Sequence, residues 1–264
     1  MRVMDSSKIR SRVWVEVNLD TLEENFNKIR TAVDPAKVLA VLKANAYGLG
    51  VEKIAERLNR AGAAGFCVAE LKEALPLIRF GKPVQILGGV LDYEIPEAVA
   101  HGIILGITDM ETAKKISAEA VRQEKTAECH FKLDTGMGRL GILAKDAVGL
   151  IPEVLKLPNL DCCGIYSHFP VAYRGEDNFS THQADKFYRI LEAMREKGIY
   201  FRKIHMANSD GINNCPFSYH YPFNYVRTGI NLHGSFDSEG QRTLDLKSIL
   251  TLKTRVVAVR NMPA

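Results

Sequence analysis

Short apolar runs alternate with longer amphipathic ones along almost the whole chain, and this alternation limits its possible folds more than any other feature. The runs at 38–43, 65–69, 84–88, 103–107, 128–133, 162–167, 203–207 and 225–230 have the length and apolar, β-branched character of buried strands. Between them, 21–33, 51–61, 70–80, 94–100, 109–123, 145–156 and 178–198 read as helices. In the last, Phe187, Ile190, Leu191 and Met194 recur on one face above charged partners. Asp20 or Thr21 is the expected cap of the first, with Glu24 three residues after Thr21. A strand followed by a helix or turn, eight times over, predicts a parallel sheet closed as a (β/α)8 barrel. The competitor is an open doubly wound sheet. It would carry a Gly-x-Gly-x-x-Gly turn after its first strand, where this chain has Lys43. A chain of 264 residues, 46% hydrophobic, can fill such a barrel's core.

Two stretches do not fit the barrel. Trp14–Leu19 alternates like a strand but precedes the first helix, and Ile249–Val259 reads as a long strand after the last barrel unit. A strand needs a partner, and these two are candidates for each other. The expected organisation is therefore a strand of a second domain at 1–19, the barrel at 20–240, and at 241–264 the first strand of a β-rich domain cut short at Ala264.

Composition removes several function classes. Lys+Arg of 35 against Asp+Glu of 31 gives a net charge of +4, too balanced to argue for a nucleic-acid partner. Lys8, Arg10 and Arg12 read as a solvated terminus. The five cysteines form no Cys-x-x-Cys pair, and three lie in apolar runs, which predicts buried free thiols in a reducing compartment. Met1–Ser7 has no apolar signal core, and no run approaches the ~18 apolar residues of a membrane span. A cytoplasmic location is expected, with no membrane partner and no metal site.

In a barrel of this kind, chemistry sits at the C-terminal ends of strands. Those ends carry Lys43 and Tyr47, then Lys132 and Asp134 leading into Thr135–Gly141 with Arg139. Further along come Ser167-His168-Phe169, then His205, Asn208 and Ser209, then Arg227, Gly229 and Ile230. Lys43 closes a buried run. Burial disfavours an ammonium, and a neutral amine is the form that makes a Schiff base. Each group also has a plain structural use. Lys43 could snorkel, His168 could be a satisfied core histidine, Arg139 could fix its own glycine-rich turn, and Asn208-Ser209 could simply cap a helix.

Taken together, the motifs Lys-Ala-Asn-Ala-Tyr-Gly, Lys-Leu-Asp-Thr-Gly-Met-Gly-Arg-Leu-Gly, Ser-His-Phe, His-Met-Ala-Asn-Ser and Val-Arg-Thr-Gly-Ile resemble those of the alanine racemase family, fold-type III enzymes that use pyridoxal 5'-phosphate (PLP). They occur in the family's order from about residue 12 to 260. The resemblance implies a PLP-dependent racemase of a small amino acid, most simply L- and D-alanine, acting in D-alanine supply for peptidoglycan as a homodimer. It implies that Lys43 bonds the PLP aldehyde. It gives the phosphate to the amides of Ser209, Gly229 and Ile230 and the hydroxyls of Ser209 and Tyr47, with Asn208 and His168 beside the cofactor. Arg227 would donate to the ring nitrogen, which an arginine can do only while that nitrogen is unprotonated. His205 would support Arg227. Arg139 would bind the substrate carboxylate, supported by Lys132, often a carbamate in the family. The second base is implied to be a tyrosine of a partner subunit's second domain, oriented by His168. Two departures stand out: His233 replaces a tyrosine in Arg227–Gly234, and Pro170–Gly175 differs from the family's usual stretch. Serine racemisation, a PLP decarboxylase, a PLP-binding barrel without turnover and an aldolase-like barrel are the competing readings.

Overall fold

The computed structural model describes residues 10–174 and 178–262. Met1–Ser7, Lys8, Gly175 and the final Pro263-Ala264, which entered the sequence reading, lie outside the described residues. Strand β1 (Val13–Val17) comes first, followed by helix α1 (Leu19–Ala32). The barrel strands are β2 (Lys37–Val41), β3 (Gly65–Val68), β4 (Val84–Ile86), β5 (Leu105–Ile107), β6 (Ala127–Asp134), β8 (Leu160–Tyr166), β9 (Lys203–His205) and β10 (Tyr225–Thr228), with a short β7 (Ile142–Leu143) beside β6. Pairing is parallel throughout, in the order β4-β3-β2-β10-β9-β8-β6-β5. The remaining seam, between β4 and β5, is joined by Ile86 N–H to Ile104 O at 3.0 Å and Ile104 N–H to Val84 O at 2.9 Å. The eight strands form the predicted (β/α)8 barrel.

The helices are α2 (Val51–Ala61), α3 (Leu71–Ala74), α4 (Ile95–Ala100), α5 (Met110–Arg122), α6 (Ala144–Val154), α7 (Phe179–Glu196) and α8 (Ser209–Asn214). Their apolar stripes cover the outside of the sheet. Leu22, Phe26 and Ile29 of α1, Ile54 and Leu58 of α2, and Phe187, Ile190 and Met194 of α7 are wholly or almost wholly buried there. Each such side chain contributes about 1.5–3 kcal/mol by leaving water.

Several boundaries differ from the sequence expectation, each for a local reason. Asn18, rather than Asp20 or Thr21, caps α1; its side-chain oxygen accepts from both Asp20 N and Thr21 N at 3.0 Å. The helix expected over 70–80 has only one α turn, because Pro76 removes a donor and the chain continues as a 3-10 helix to Phe80. The strand expected over 225–230 ends at Thr228 and turns into a 3-10 helix, Ile230–His233. Of the run 249–259, only β11 (Leu250–Thr254) is strand. It pairs antiparallel with β1, Val13 opposite Thr254 and Val17 opposite Leu250. All five cysteines are buried and unpaired. Among the described residues, no helix is long and apolar enough to cross a membrane.

Candidate active site

The C-terminal strand ends open into a cleft of about 580 Å³. Ten of the residues singled out from the sequence line it, Lys43, Tyr47, Lys132, Arg139, His168, Asn208, Ser209, Arg227, Gly229 and Ile230, while His205 lies outside the lining and is bonded to Arg227. They come from five strands and the turns that follow them.

Lys43 is exposed at the cleft mouth rather than buried, contrary to its place at the end of an apolar run. The reason is the turn that begins there. Ala44, Asn45, Ala46 and Tyr47 all have left-handed φ, from 52° to 58°. Non-glycine residues pay roughly 1–2 kcal/mol each for that conformation. Several contacts hold it. Glu73 accepts from Ala44 N at 2.6 Å and from Ala69 N at 2.8 Å, and Asn45 Oδ1 accepts from Val51 N at 2.9 Å. The turn puts Lys43 and Tyr47 on one wall, the ammonium 5.9 Å from the phenol ring. Burial pushes the Tyr47 hydroxyl up to about 12, so it remains a donor. The ring of His233 meets Tyr47 edge-on at 5.3 Å and is kept neutral by burial, which lowers its pKa to about 4. His233 therefore packs against Tyr47.

The glycine-rich loop after β6 is folded by Asp134, whose Oδ1 accepts from Gly136 N at 2.9 Å and Gly138 N at 3.1 Å. Arg139 is thus not needed to fix its own turn. It is exposed at the cleft, and among the described residues no carboxylate lies within ion-pair distance. Lys132 is 4% exposed. Burial, helped by Arg227 and Arg139, lowers its pKa to about 7. A large part of its amine is therefore neutral near pH 7, which relieves the repulsion of Arg139 expected for a charged Lys132. Asn208 does cap α8, accepting from Gly211 N at 2.9 Å, and its amide donates to Phe169 O at 3.0 Å. Ser209 Oγ accepts from Gly229 N at 3.1 Å. A Cβ on Gly229 would lie 2.1 Å from the Tyr47 hydroxyl, so only glycine leaves room for that oxygen.

Arg227 is 2% exposed, and no carboxylate neutralises it among the described residues. It donates through Nη1 to His205 Nδ1 at 2.6 Å, and through Nη2 to Ser167 O at 2.7 Å and Met206 O at 3.2 Å. Nη2 also reaches His168 Nδ1 at 3.3 Å. His205 and His168 are held well below the usual histidine range, first by burial and then by Arg227. His168 is thus bound to the arginine rather than being a bland core residue.

Sequence reasoning missed Glu73, Tyr166 and His130. Tyr166 lines the cleft and stacks on His205, ring centroids 4.9 Å apart and 8° from parallel. His130 contacts His205 from below. The inward alternation of β6 could have marked His130, since 128, 130, 132 and 134 share a face.

Residues 17–236 match the family model described as "Alanine racemase, N-terminal domain". The chain belongs to the alanine racemase family. It is 36% identical over 255 residues to an alanine racemase of Clostridium tetani, covering 95% of this chain and 65% of that protein. The chain therefore spans about two thirds of the length of the curated relatives it matches. The solved alanine racemase of Clostridium difficile 630, in complex with cycloserine, superposes with a TM-score of 0.90 at 29% identity, over 96% of this chain and 71% of that one. The alanine racemase of Bartonella henselae, solved with covalently bound pyridoxal phosphate, gives 0.82 at 27% identity over 93% and 67%.

Proposed function

We propose that this chain binds PLP in the strand-end cleft and serves the racemisation of alanine. The observation that carries the reading is Arg227. A buried guanidinium without a carboxylate calls for an acceptor from the cleft, and an unprotonated pyridine nitrogen is one. The other walls suit the rest of the cofactor. Lys43 offers an exposed amine to the aldehyde. Ser209, Tyr47 and the turn at Gly229 and Ile230 cluster hydroxyls and amides as a phosphate requires, with Asn208 fixing the start of α8. The Bartonella relative's covalent PLP supports the same assignment.

PLP, when bound, supplies an electron sink for the charge left when a substrate α-carbon loses its proton. The chain's own residues do the rest. Arg227, donating and never accepting, keeps the ring nitrogen unprotonated, which moderates the sink and disfavours decarboxylation. Arg139, free of acidic partners among the described residues, takes the substrate carboxylate. Lys132 beside it is neutral enough near pH 7 to add carbon dioxide, and as a carbamate it would attract Arg139. Lys43 moves the proton on one face of the α-carbon. The family resemblance gives the opposite face to a tyrosine of a partner subunit in a homodimer, with His168 orienting it. On this reading β1 and β11, which expose Val13, Val15 and Leu252, belong to a β-rich second domain, and the protein works in the cytoplasm. D-Alanine for peptidoglycan is the expected use of the product.

The test is reduction of the PLP complex with borohydride, peptide mapping of the label, and measurement of D-alanine formed from L-alanine, with L-serine as the comparison. Label at Lys43 and preference for alanine are expected. Label elsewhere, or no yellow complex at excess PLP, overturns the reading.

A further inference from the structure

The barrel interior below the cleft holds a second polar set, built on alternate residues of facing strands. Glu128, His130 and Lys132 share one face of β6, and β9 and β10 set Lys203, His205 and Arg227 against them. The imidazole of His130 has been given room. Its partners in register are Gly106 on β5 and Gly164 on β8. A Cβ on Gly164 would lie 2.3 Å from the ring.

The donor inventory fixes the direction of every link. Arginine only donates, so the 2.6 Å contact of Arg227 Nη1 makes His205 Nδ1 an acceptor. A neutral His205 then carries its one proton on Nε2, which faces His130 Nδ1 at 3.3 Å. That nitrogen accepts in turn, so the proton of His130 sits on Nε2, which lies 3.4 Å from Glu128 Oε1, an electrostatic contact without hydrogen-bond geometry. The same carboxylate oxygen accepts from the Cys163 thiol at 3.2 Å and from the Lys203 ammonium. Burial favours the neutral form of both imidazoles.

We propose that Glu128 and His130 are positioning residues for Arg227: His130, His205 and Arg227 form one directed hydrogen-bond chain to the cleft, and the Glu128 carboxylate fixes the proton of His130 electrostatically from the barrel floor. Arg227 lacks a carboxylate beside it; the acid on this path, Glu128, lies beyond two imidazoles and is shared with Lys203. This anchors the guanidinium while leaving no acid next to the place where it meets a ligand. Glu128, His130 and Cys163 also have the spacing of a metal-ligand set. The chain argues against that use, because it puts a proton on His130 Nε2 and an ammonium already sits on Glu128. That Arg227 faces a cofactor ring rests on the function proposed above; the hydrogen-bond chain itself does not.

The experiment reads histidine tautomers by nitrogen-15 NMR of the cofactor-free chain, with His130→Gln for assignment. Protonated Nε2 and unprotonated Nδ1 are expected at both His130 and His205. Glu128 is partly exposed at a strand start, so its replacement should fold. Glu128→Ala should mix the tautomers of His130 and shift the signals of His205, while Glu128→Gln, which keeps an acceptor without the charge, should restore part of the native pattern. With PLP bound, Glu128→Ala should shift the cofactor's visible absorbance and lower kcat about tenfold with little change in KM, the loss expected from weakening one charge-assisted hydrogen bond. A proton on Nδ1 of either histidine, or His205 signals unmoved by Glu128→Ala, would overturn the proposal. Failure to bind PLP overturns the functional reading alone, since the tautomers are read without cofactor.

Discussion

The two halves of the barrel interior are built on opposite principles. On the β2–β3 side, Leu39, Val41 and Cys67 pack together as a small apolar cluster, the kind of filling a barrel normally has. On the β6–β8–β9–β10 side the interior holds Glu128, His130, Lys132, Tyr166, Lys203, His205 and Arg227 from the floor to the cleft, with Gly106 and Gly164 making room. Outside the sheet the helix-facing layer is mainly apolar, with single buried polar residues such as Asn25, Ser117 and Gln183. Stability therefore rests mainly on the outer layer. The interior can give up part of its apolar packing because Arg227, His205 and Glu128 find partners within the network, although His130 Nε2 and the Tyr166 hydroxyl make no hydrogen bond among the described residues.

Lys43→Ala should separate the halves most sharply. Lys43 is exposed and supports neither of them. Loss of the proton-transfer group should cut racemisation by at least ~10²–10⁴-fold, and no borohydride-stable label should form. The melting temperature of the cofactor-free chain should not move. A drop in melting temperature would mean that Lys43 holds the left-handed turn.

Arg227→Met should break the polar half. It strips His205 Nδ1, Ser167 O and Met206 O of their donor. Removing one member of a buried charged network costs about 3–5 kcal/mol, measurable by urea unfolding. Arg227→Lys should recover little of this, because one ammonium cannot span both His205 and Ser167 as the planar guanidinium does. Wild-type stability in the lysine variant would show that geometry at this position is slack.

The outer layer was legible in the sequence because it is periodic. Apolar residues at helical spacing and short β-branched runs gave eight units and hence the barrel. The boundaries were less legible. Asn18 outcompetes Asp20 and Thr21 as a cap only because its oxygen reaches two amides at once, and that is geometry rather than composition. The strand-end motifs likewise led to ten of the residues that line the cleft, though not to Tyr166. The interior network was not visible, since His130 lies in an apolar run and its partner 75 residues later comes from a non-adjacent strand. The exposure of Lys43 was also hidden, because nothing in an apolar run announces a left-handed turn after it.

Lys132→Met should sharpen the contrast from the other direction, by stabilising the chain. An amine held at about 7 against ~10.4 when unfolded favours unfolding wherever the unfolded chain binds the extra proton. The folded pKa is depressed, so wild-type stability should rise as pH increases from about 7 toward ~10.4. At pH 7, urea unfolding should show Lys132→Met more stable by about 2 kcal/mol, below the ~5 kcal/mol that a full shift at 1.36 kcal/mol per unit would give. Substrate KM should rise as Arg139 loses its neighbour. A less stable variant would mean that Lys132 is paired in solution, as a carbamate would be.

The histidines give a smaller effect with the same sign logic. His168 and His205 have folded pKa values well below the ~6.5 of an unfolded chain, so below that pH the unfolded state binds more protons. Each should cost about 1 kcal/mol per pH unit as pH falls below ~6.5, seen as a falling urea midpoint. His205→Gln should flatten that slope. An unchanged slope would place the acid sensitivity at groups other than His205.

Leu39→Val tests the apolar half and should have the smallest effect of all. Leu39 packs with Val41 and Cys67, close enough to Gly65 that a Cβ there would sit 3.1 Å from its Cδ2. Valine removes one methylene from a buried site and suits a strand, so the cost should be about 0.5–1.5 kcal/mol in urea unfolding. None of the hydrogen bonds around Arg227 involves this side chain. PLP affinity, the absorbance of the complex and the histidine tautomers should therefore match those of the unaltered chain. If the tautomers of His130 or His205 shift in Leu39→Val, the two halves are mechanically coupled through the barrel floor, and the apolar side helps to aim Arg227 rather than only filling space.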